Sequence, residues 1–412
     1  ILALLEERVP RVVVFTQNVD GFHKAAGSKN VIAIHGDVHD LRVVEDWSEA
    51  PAAFDAAVYP SLVVARRRGI DAGMVCLSAA GAGTDATPAN RAAPASASGY
   101  SNDFVQLGVH RRDFAISWSI ERRALAFDDS PGAPWLILPP PARDAFARLG
   151  KAGPPLAESG LGRPSLGVKC GCNDAFIVEC MEGGVEHAIV SGGGRQLPVE
   201  GALLRPVLRG ERARLWTPAA SRERIIWTHD VVGRPLGALP PMAARWFARW
   251  RGELSRRTDL RGRRAWWSLH RIDGAVSARP RVVWADVSRG MRACILPANS
   301  PVVPVNSCYV LTCRDDTDAA AFAALLNSPL ATAWLDALAE PARGGFRRYL
   351  GWTVARLPIP HDWARARELL APLGRRGVAG EAIAGDELLN AVVAAYRVRA
   401  SLARALVEWT WR

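Results

Sequence analysis

Between Leu77 and Asn102 the chain reads LSAAGAGTDATPANRAAPASASGYSN, almost without a large apolar side chain. A stretch of that composition cannot bury a core, so it reads as a linker or loop. It splits the 412 residues into a short leading part and a long trailing one. The overall apolar content of 49% allows real cores in two or three domains. No apolar run approaches the roughly 18–20 residues that span a bilayer, and the first residues lack the basic, apolar, small-residue order of a signal peptide. The expectation is a cytoplasmic protein with no membrane partner. Ile1–Glu6 reads as the middle of a helix, so the chain is expected to be a fragment of something longer.

Hydrophobic periodicity supplies the elements. Arg11–Thr16 and Val31–Ile34 read as buried strands, and Leu41–Asp46 and Ala57–Ala65 as two more. Beyond Asp103 the pattern is mixed. Ala142–Leu149 and Pro241–Leu254 have helical spacing, whereas Arg224–Thr228, Arg281–Ala285 and Ser307–Thr312 look like strands. Asp318–Leu326 and Pro329–Leu338 read as a helix pair turning at Asn327–Ser328. The tail after Pro360 is helical, with Leu388–Val407 its strongest segment. The fold class is therefore mixed α/β.

Charge is unevenly placed. The net charge is +11, yet Leu203–Arg292 holds 20 arginines against 7 acidic residues, so the rest of the chain nets −2. Trp216, Trp227, Trp246, Trp250, Trp266, Trp267 and Trp284 fall in the same window. Guanidinium forks suit phosphates and guanine edges, and aromatic faces suit unstacked bases. The window is either a nucleic-acid surface or a solvated basic face over a tryptophan-rich core. Seven cysteines, without a CxxC, suggest neither a disulfide framework nor a zinc site. Cys170 and Cys172, two apart, are read as buried thiols, and no metal is expected.

Residues 15–39, FTQNVDGFHKAAGSKNVIAIHGDVH, resemble the sirtuins, the NAD-dependent protein deacylases, over about Val12–Asp40. The resemblance implies that Gln17, Asn18 and Asp20 face the nicotinamide ribose and carboxamide. It makes His35 the general base on the ribose hydroxyls, a role suited to an imidazole near neutral pH. The family's first glycine motif and its zinc cysteine pairs are missing, so the segment is read as a relic.

Residues 41–66, LRVVEDWSEAPAAFDAAVYPSLVVAR, resemble the closing strands of the catalytic domain in adenine-specific DNA methyltransferases of the restriction–modification type. Six further segments follow in the order of that family's target-recognition region: PWLIL (134–138), GRPSLGVKCGCNDAFIV (162–178), LLRPVLRGERARLW (203–216), RAWWSLHR (264–271), LLNS (325–328) and GGFRRYLGWTVARLPIP (344–360). The resemblance implies a domain that clasps duplex DNA, while S-adenosylmethionine binds a separate catalytic domain.

Residue chemistry points the same way. Glycines flank Lys169 and Asn173, allowing backbone to approach a ligand closely; a β-turn in a core is the other reading. Pro206 interrupts helical spacing, so Arg205 and Arg209 are expected on a loop facing phosphate. Arg264 and Arg271 are read as phosphate contacts around Trp266 and Trp267, one of which belongs to the core. Arg347 and Arg348 follow a glycine pair that would bring them to a phosphate. Asn327 reads as a helix-end cap.

The expected layout is a sirtuin-like NAD-binding fragment with partial Rossmann-like strands (1–40), methyltransferase closing strands (41–76), a linker (77–102), an α+β target-recognition domain (103–360) and a helical tail (361–412). Methylating an exocyclic amine takes an Asn/Asp-Pro-Pro-aromatic loop at the flipped base. None of the steps Pro139–Pro140–Pro141, Pro154–Pro155 or Pro240–Pro241 has those flanks. The chain is thus expected to bind DNA but to be catalytically incomplete. A sirtuin-type deacylase using NAD, and a stand-alone specificity module serving a separate catalytic subunit, are the alternatives.

Overall fold

The computed structural model describes residues 14–16, 31–33, 41–49, 61–65, 104–111, 114–130, 133–260, 265–275, 278–342 and 344–411. Gln17, Asn18, Asp20, His35 and Arg264 lie outside them. The chain divides into two compact units, Ile1–Pro140 and Pro141–Arg412, and the architecture is mixed α/β with a helical C-terminal region. Among the described residues, no helix is long and apolar enough to cross a membrane.

In the first unit, β1 (Val14–Thr16) pairs in parallel with β2 (Val31–Ala33). A four-stranded sheet follows, built from β3 (Leu41–Glu49), β4 (Ser61–Ala65), β5 (Phe104–Arg111) and β6 (Ala115–Glu121), in the order β4-β3-β5-β6. β3 runs antiparallel to β4 and parallel to β5. In β5, Val105, Leu107 and Val109 are buried; their spacing of two puts them on one face of the strand.

The second unit opens with α1 (Pro140–Gly150), β7 (Ser165–Leu166) and the short α2 (Asn173–Phe176). Five strands follow: β8 (Ile177–Gly183), β9 (Ala188–Gly192), β10 (Arg195–Val199), β11 (Leu204–Leu208) and β12 (Glu223–Ile226). With β16 (Val303–Pro304) it forms a six-stranded sheet ordered β10-β9-β8-β12-β11-β16. The loop expected around Arg205–Arg209 is instead strand β11. Pro206 is tolerated because pairing to β16 starts only at Val207, so no ladder bond on that side needs its missing N–H.

The helix expected over Pro241–Leu254 is broken into α3 (Pro241–Phe247), a 3₁₀ turn and α4 (Arg251–Ser255). Trp246, Trp250 and Leu254 stay buried, packed with Phe176, Ile225, Ile226, Trp227 and Phe247. Fully burying one such side chain stabilises by about 1.5–3 kcal/mol, so this cluster holds the sheet to its helices.

A second sheet, ordered β15-β13-β17-β7, uses β13 (Arg281–Ala285), β15 (Ala293–Leu296) and β17 (Cys308–Thr312). Every residue of β13 is buried. Between them, β14 (Val287–Ser288) joins β18 (Glu340–Ala342) and β19 (Phe346–Arg348) in a three-stranded ribbon. The helix pair forms as α5 (Asp316–Leu326) and α6 (Pro329–Asp336), capped by Asp315 and Ser328. Asn327 does more than end α5. Its buried side-chain amide accepts from Ala293 N–H at 2.7 Å and donates to Ala293 C=O at 3.0 Å, completing the edge strand β15.

α7 (Gly351–Ala355) leads to the tail, where α8 (Trp363–Val378) packs on α5 at backbone distance. A Cβ at Gly374 would lie 2.2 Å from Ala320 O. The strong segment Leu388–Val407 is not one helix. α9 (Gly385–Tyr396) and α10 (Ala400–Trp411) are separated by Arg397, which takes a left-handed conformation at φ 55°.

Candidate nucleic-acid interface

The segment after β7 is strand-like in its alternation. Val168 N–H donates to Pro304 O, Lys169 N–H to Arg271 O at 3.0 Å, and His270 N–H returns to Lys169 O at 2.9 Å. Val168 and Cys170 are buried, so the period of two turns Lys169 outward. Burial pushes the Cys170 thiol up to about 12, which keeps it a neutral packing group. Arg271 lies opposite Lys169 with its side chain 53% exposed and Asp273 at 3.8 Å. Two motifs a hundred residues apart in the chain thus bring their cations to one edge.

That edge is fastened by residues outside the candidate set. Arg257 is a nearly buried fork. Nε and Nη2 meet the two Asp259 carboxylate oxygens at 3.1 and 2.8 Å, while Nη1 donates to Ser268 O at 2.8 Å and Cys170 O at 3.3 Å. One side chain therefore holds both strands of the edge. His270 Nδ1 completes the group 2.9 Å from Asp259. The Arg257 hydrogen bond, and then that of His270, hold the Asp259 carboxyl well below the usual range. In sequence, Arg257 is one of twenty arginines in its window and carries no distinguishing signal; His270 stood in the RAWWSLHR motif with its role unread.

At Gly171 the backbone turns with φ 87° and enters α2, where Asn173 is exposed and Phe176 buried. Asn173 is thereby presented at the first turn, a short step along the chain from the Lys169 edge.

The tryptophans sort into two groups. Trp216, Trp227, Trp246, Trp250 and Trp284 are buried in the core. Trp266 and Trp267 are half-buried, edge to face at 5.5 Å. Trp267 Nε1 donates to Leu236 O at 3.0 Å, making it a strut, whereas Trp266 has the Arg251 guanidinium 5.8 Å from its ring.

Several arginines of the basic window are committed inside the protein. Arg209 forks onto Glu223 with two 2.8 Å bonds, and that carboxylate raises its pKa. Half-buried Arg205 stacks 4.2 Å over Trp227, and burial lowers its pKa. Arg281 is fully buried, donates to the carbonyls of Gly274, Ala275 and Ser300, and is pulled down to about 10 by burial.

Arg347 and Arg348 lie on β19 of the ribbon, after a turn in which Gly344 and Gly345 take φ 76° and 75°. Arg347 is half-buried, with Asp336 at 3.9 Å; Arg348 is more exposed, 3.6 Å from Asp286. The ribbon is a second cation-bearing element on a different sheet. Among the described residues, no group of three His, Cys, Asp or Glu side chains could hold a metal ion.

Comparison with known proteins finds two kinds of relative, and the sirtuin match runs beyond the Val12–Asp40 segment into residues read above as methyltransferase-like. The Sir2 family model matches residues 1–52, and an NAD-dependent protein deacylase of Aquifex aeolicus is 49% identical over 49 residues, 12% of this chain and 20% of that protein. The longer match is to the type II methyltransferase M.PaeR7I of Pseudomonas aeruginosa, 27% identical over 276 residues. Over that stretch the chain is a type II methyltransferase homologue. The match takes in 64% of this chain and 42% of the relative, so the chain spans less than half the length of either relative. A solved structure of the type IIL restriction-modification enzyme MmeI in complex with DNA aligns over 90% of this chain and 45% of its own, with 11% identity and a TM-score of 0.47.

Proposed function

We propose that this chain is the DNA-recognising portion of an S-adenosylmethionine-dependent, adenine-specific DNA methyltransferase of the restriction–modification type. Residues 103–360 are its target-recognition domain, 361–412 a helical tail, and 41–76 the closing strands of a catalytic domain. β1 and β2, being parallel, fit a remnant of a Rossmann-like sheet in the sirtuin-like segment.

The observation that carries this reading is the Lys169–Arg271 edge. It joins two of the six methyltransferase-like segments and leaves both cations facing solvent. Lys169 and Arg271 pair with phosphates and set the register of the duplex. Asn173 has the amide that reads adenine in the major groove, and Trp266 offers an aromatic face beside the Arg251 charge. Arg348 and Arg347 add phosphate contacts from the ribbon. Arg205 acts chiefly by holding Trp227, and Arg209 by holding Glu223.

Methyl transfer falls to a catalytic domain outside these residues or, in the stand-alone alternative, to a separate catalytic subunit. S-adenosylmethionine supplies the methyl group there. The chain's own sequence offers no Asn/Asp-Pro-Pro-aromatic loop to hold the target amine beside that cofactor. NAD would be held by Gln17, Asn18 and Asp20, with His35 as base, only under the deacylase alternative.

Incubation of the purified chain with duplex DNA and labelled S-adenosylmethionine tests the whole reading. The expected result is a shifted DNA band with no label transferred. Failure to retain DNA, together with NAD consumption on an acyl-lysine peptide, would overturn it.

A further inference from the structure

Beyond β12 the chain makes a hairpin whose tip is apolar. His229 bridges Pro235, Leu236 N–H donates to Thr228 O at 2.9 Å, and Asp230 N–H donates to Arg234 O at 2.8 Å. The turn closes with Gly233 N–H on Asp230 O, with Gly233 at φ 83°. The Asp230 carboxylate also accepts from the Val232 and Arg234 amides at 3.0 and 2.8 Å. Val231 and Val232 occupy the middle of this turn, 89% and 63% exposed; Val231 is the most exposed large apolar residue among those described.

Turn centres favour glycine, proline, asparagine, aspartate and serine. β-Branched apolar residues there are stiff and gain no burial from the solvent around them. Two adjacent valines at this exposure contribute nothing to the fold. Local choices that oppose folding mark function more often than structure.

The tip is also rigidly attached. Thr228 Oγ1 donates to Trp267 O at 2.7 Å, and Trp267 Nε1 donates to Leu236 O at 3.0 Å. The hairpin base is therefore bonded to the same Trp266–Arg271 segment that pairs with Lys169. Exposed Arg234 adjoins the valines. A ligand that meets cations and an apolar tip together must carry dense negative charge outside and apolar surface within. Duplex DNA has that chemistry: phosphates flank grooves floored by base edges and thymine methyl groups.

We propose that the Val231–Val232 tip enters a groove of bound duplex DNA and packs against base edges, supplying an uncharged share of the affinity. This rests on the DNA-recognition reading above. The two fail differently, because phosphate contacts depend on salt and apolar contacts do not.

The experiment uses short duplexes with a randomised centre, enriched on the wild-type chain. The enriched pool is then titrated over a salt series against wild type, Val231→Ser plus Val232→Ser, and Lys169→Ala plus Arg271→Ala. The valine variant is expected to lose affinity about tenfold or more at every salt concentration, with the slope of log K against log salt unchanged and its melting temperature that of wild type. Wild-type affinity in the valine variant would overturn the proposal and leave DNA recognition standing. Absence of binding by the wild-type chain would overturn both.

Discussion

Gly171 and Arg257 leave no room for a side chain between them. A Cβ on Gly171 would lie 2.8 Å from Arg257 Cζ, and the glycine sits at φ 87°, a conformation L-residues rarely adopt. The close approach lets Arg257 reach the carbonyls of Cys170 and Ser268 and so hold the Lys169–Arg271 edge.

Gly171→Ala should therefore cost about 1–3 kcal/mol from strained backbone and displaced guanidinium. A thermal melt would show a fall of about 2–4 °C for each kcal/mol. DNA affinity should fall further than the melt alone explains, since Lys169 shifts with the loop. A melting temperature equal to wild type would mean that the turn is not held as described.

Asp259 ties stability to acid. Its carboxyl is held below the ordinary range by Arg257 and His270, so the folded state binds fewer protons than the unfolded state. The stability this contributes is full above about pH 4, the ordinary carboxylate value, and is lost as pH falls below it. Asp259→Asn should cost about 3 kcal/mol at neutral pH by leaving Arg257 without its counter-charge. Urea midpoints for variant and wild type should converge as pH falls below about 4; parallel curves would contradict the assignment.

His229 gives a second, separate window. Burial lowers its pKa to about 4, so it is neutral in the folded protein. The sign is again that of a depressed group: stability is full above about pH 6.5 and declines as pH falls toward the folded value. The total is about 3 kcal/mol at one pKa unit per 1.36 kcal/mol. His229→Gln should flatten the urea midpoint between these limits while leaving the fall below it, from Asp259, in place.

Much of this arrangement was legible in the residues. β13 and β17 announce themselves as β-branched apolar runs, and α5 and α6 by the Asn327–Ser328 turn. Lys169 and Arg271 were legible as candidates through their motifs. Their pairing was not, because strand partners a hundred residues apart leave no local mark. Arg209 was beyond reading for a similar reason: its partner Glu223 lies on the neighbouring strand, and composition does not distinguish a paired guanidinium from a free one. The tryptophan-rich basic window was ambiguous until burial sorted it. Five rings are core, and Trp266 and Trp267 alone of the seven are half-buried. Arg397 broke a helix whose periodicity ran on through it, since one left-handed residue redirects the chain without changing the apolar spacing.

The central claim is that outward cations at the Lys169–Arg271 edge meet DNA phosphates. It is tested most directly by the salt dependence of duplex binding between about 50 and 200 mM salt, wild type against Lys169→Ala plus Arg271→Ala. The wild-type chain should lose affinity steeply across that range. The double variant should bind more weakly, with a slope reduced by about 1.8, or about 0.9 for each phosphate that is no longer neutralised. Binding with an unchanged slope in a variant that melts like wild type would contradict the account.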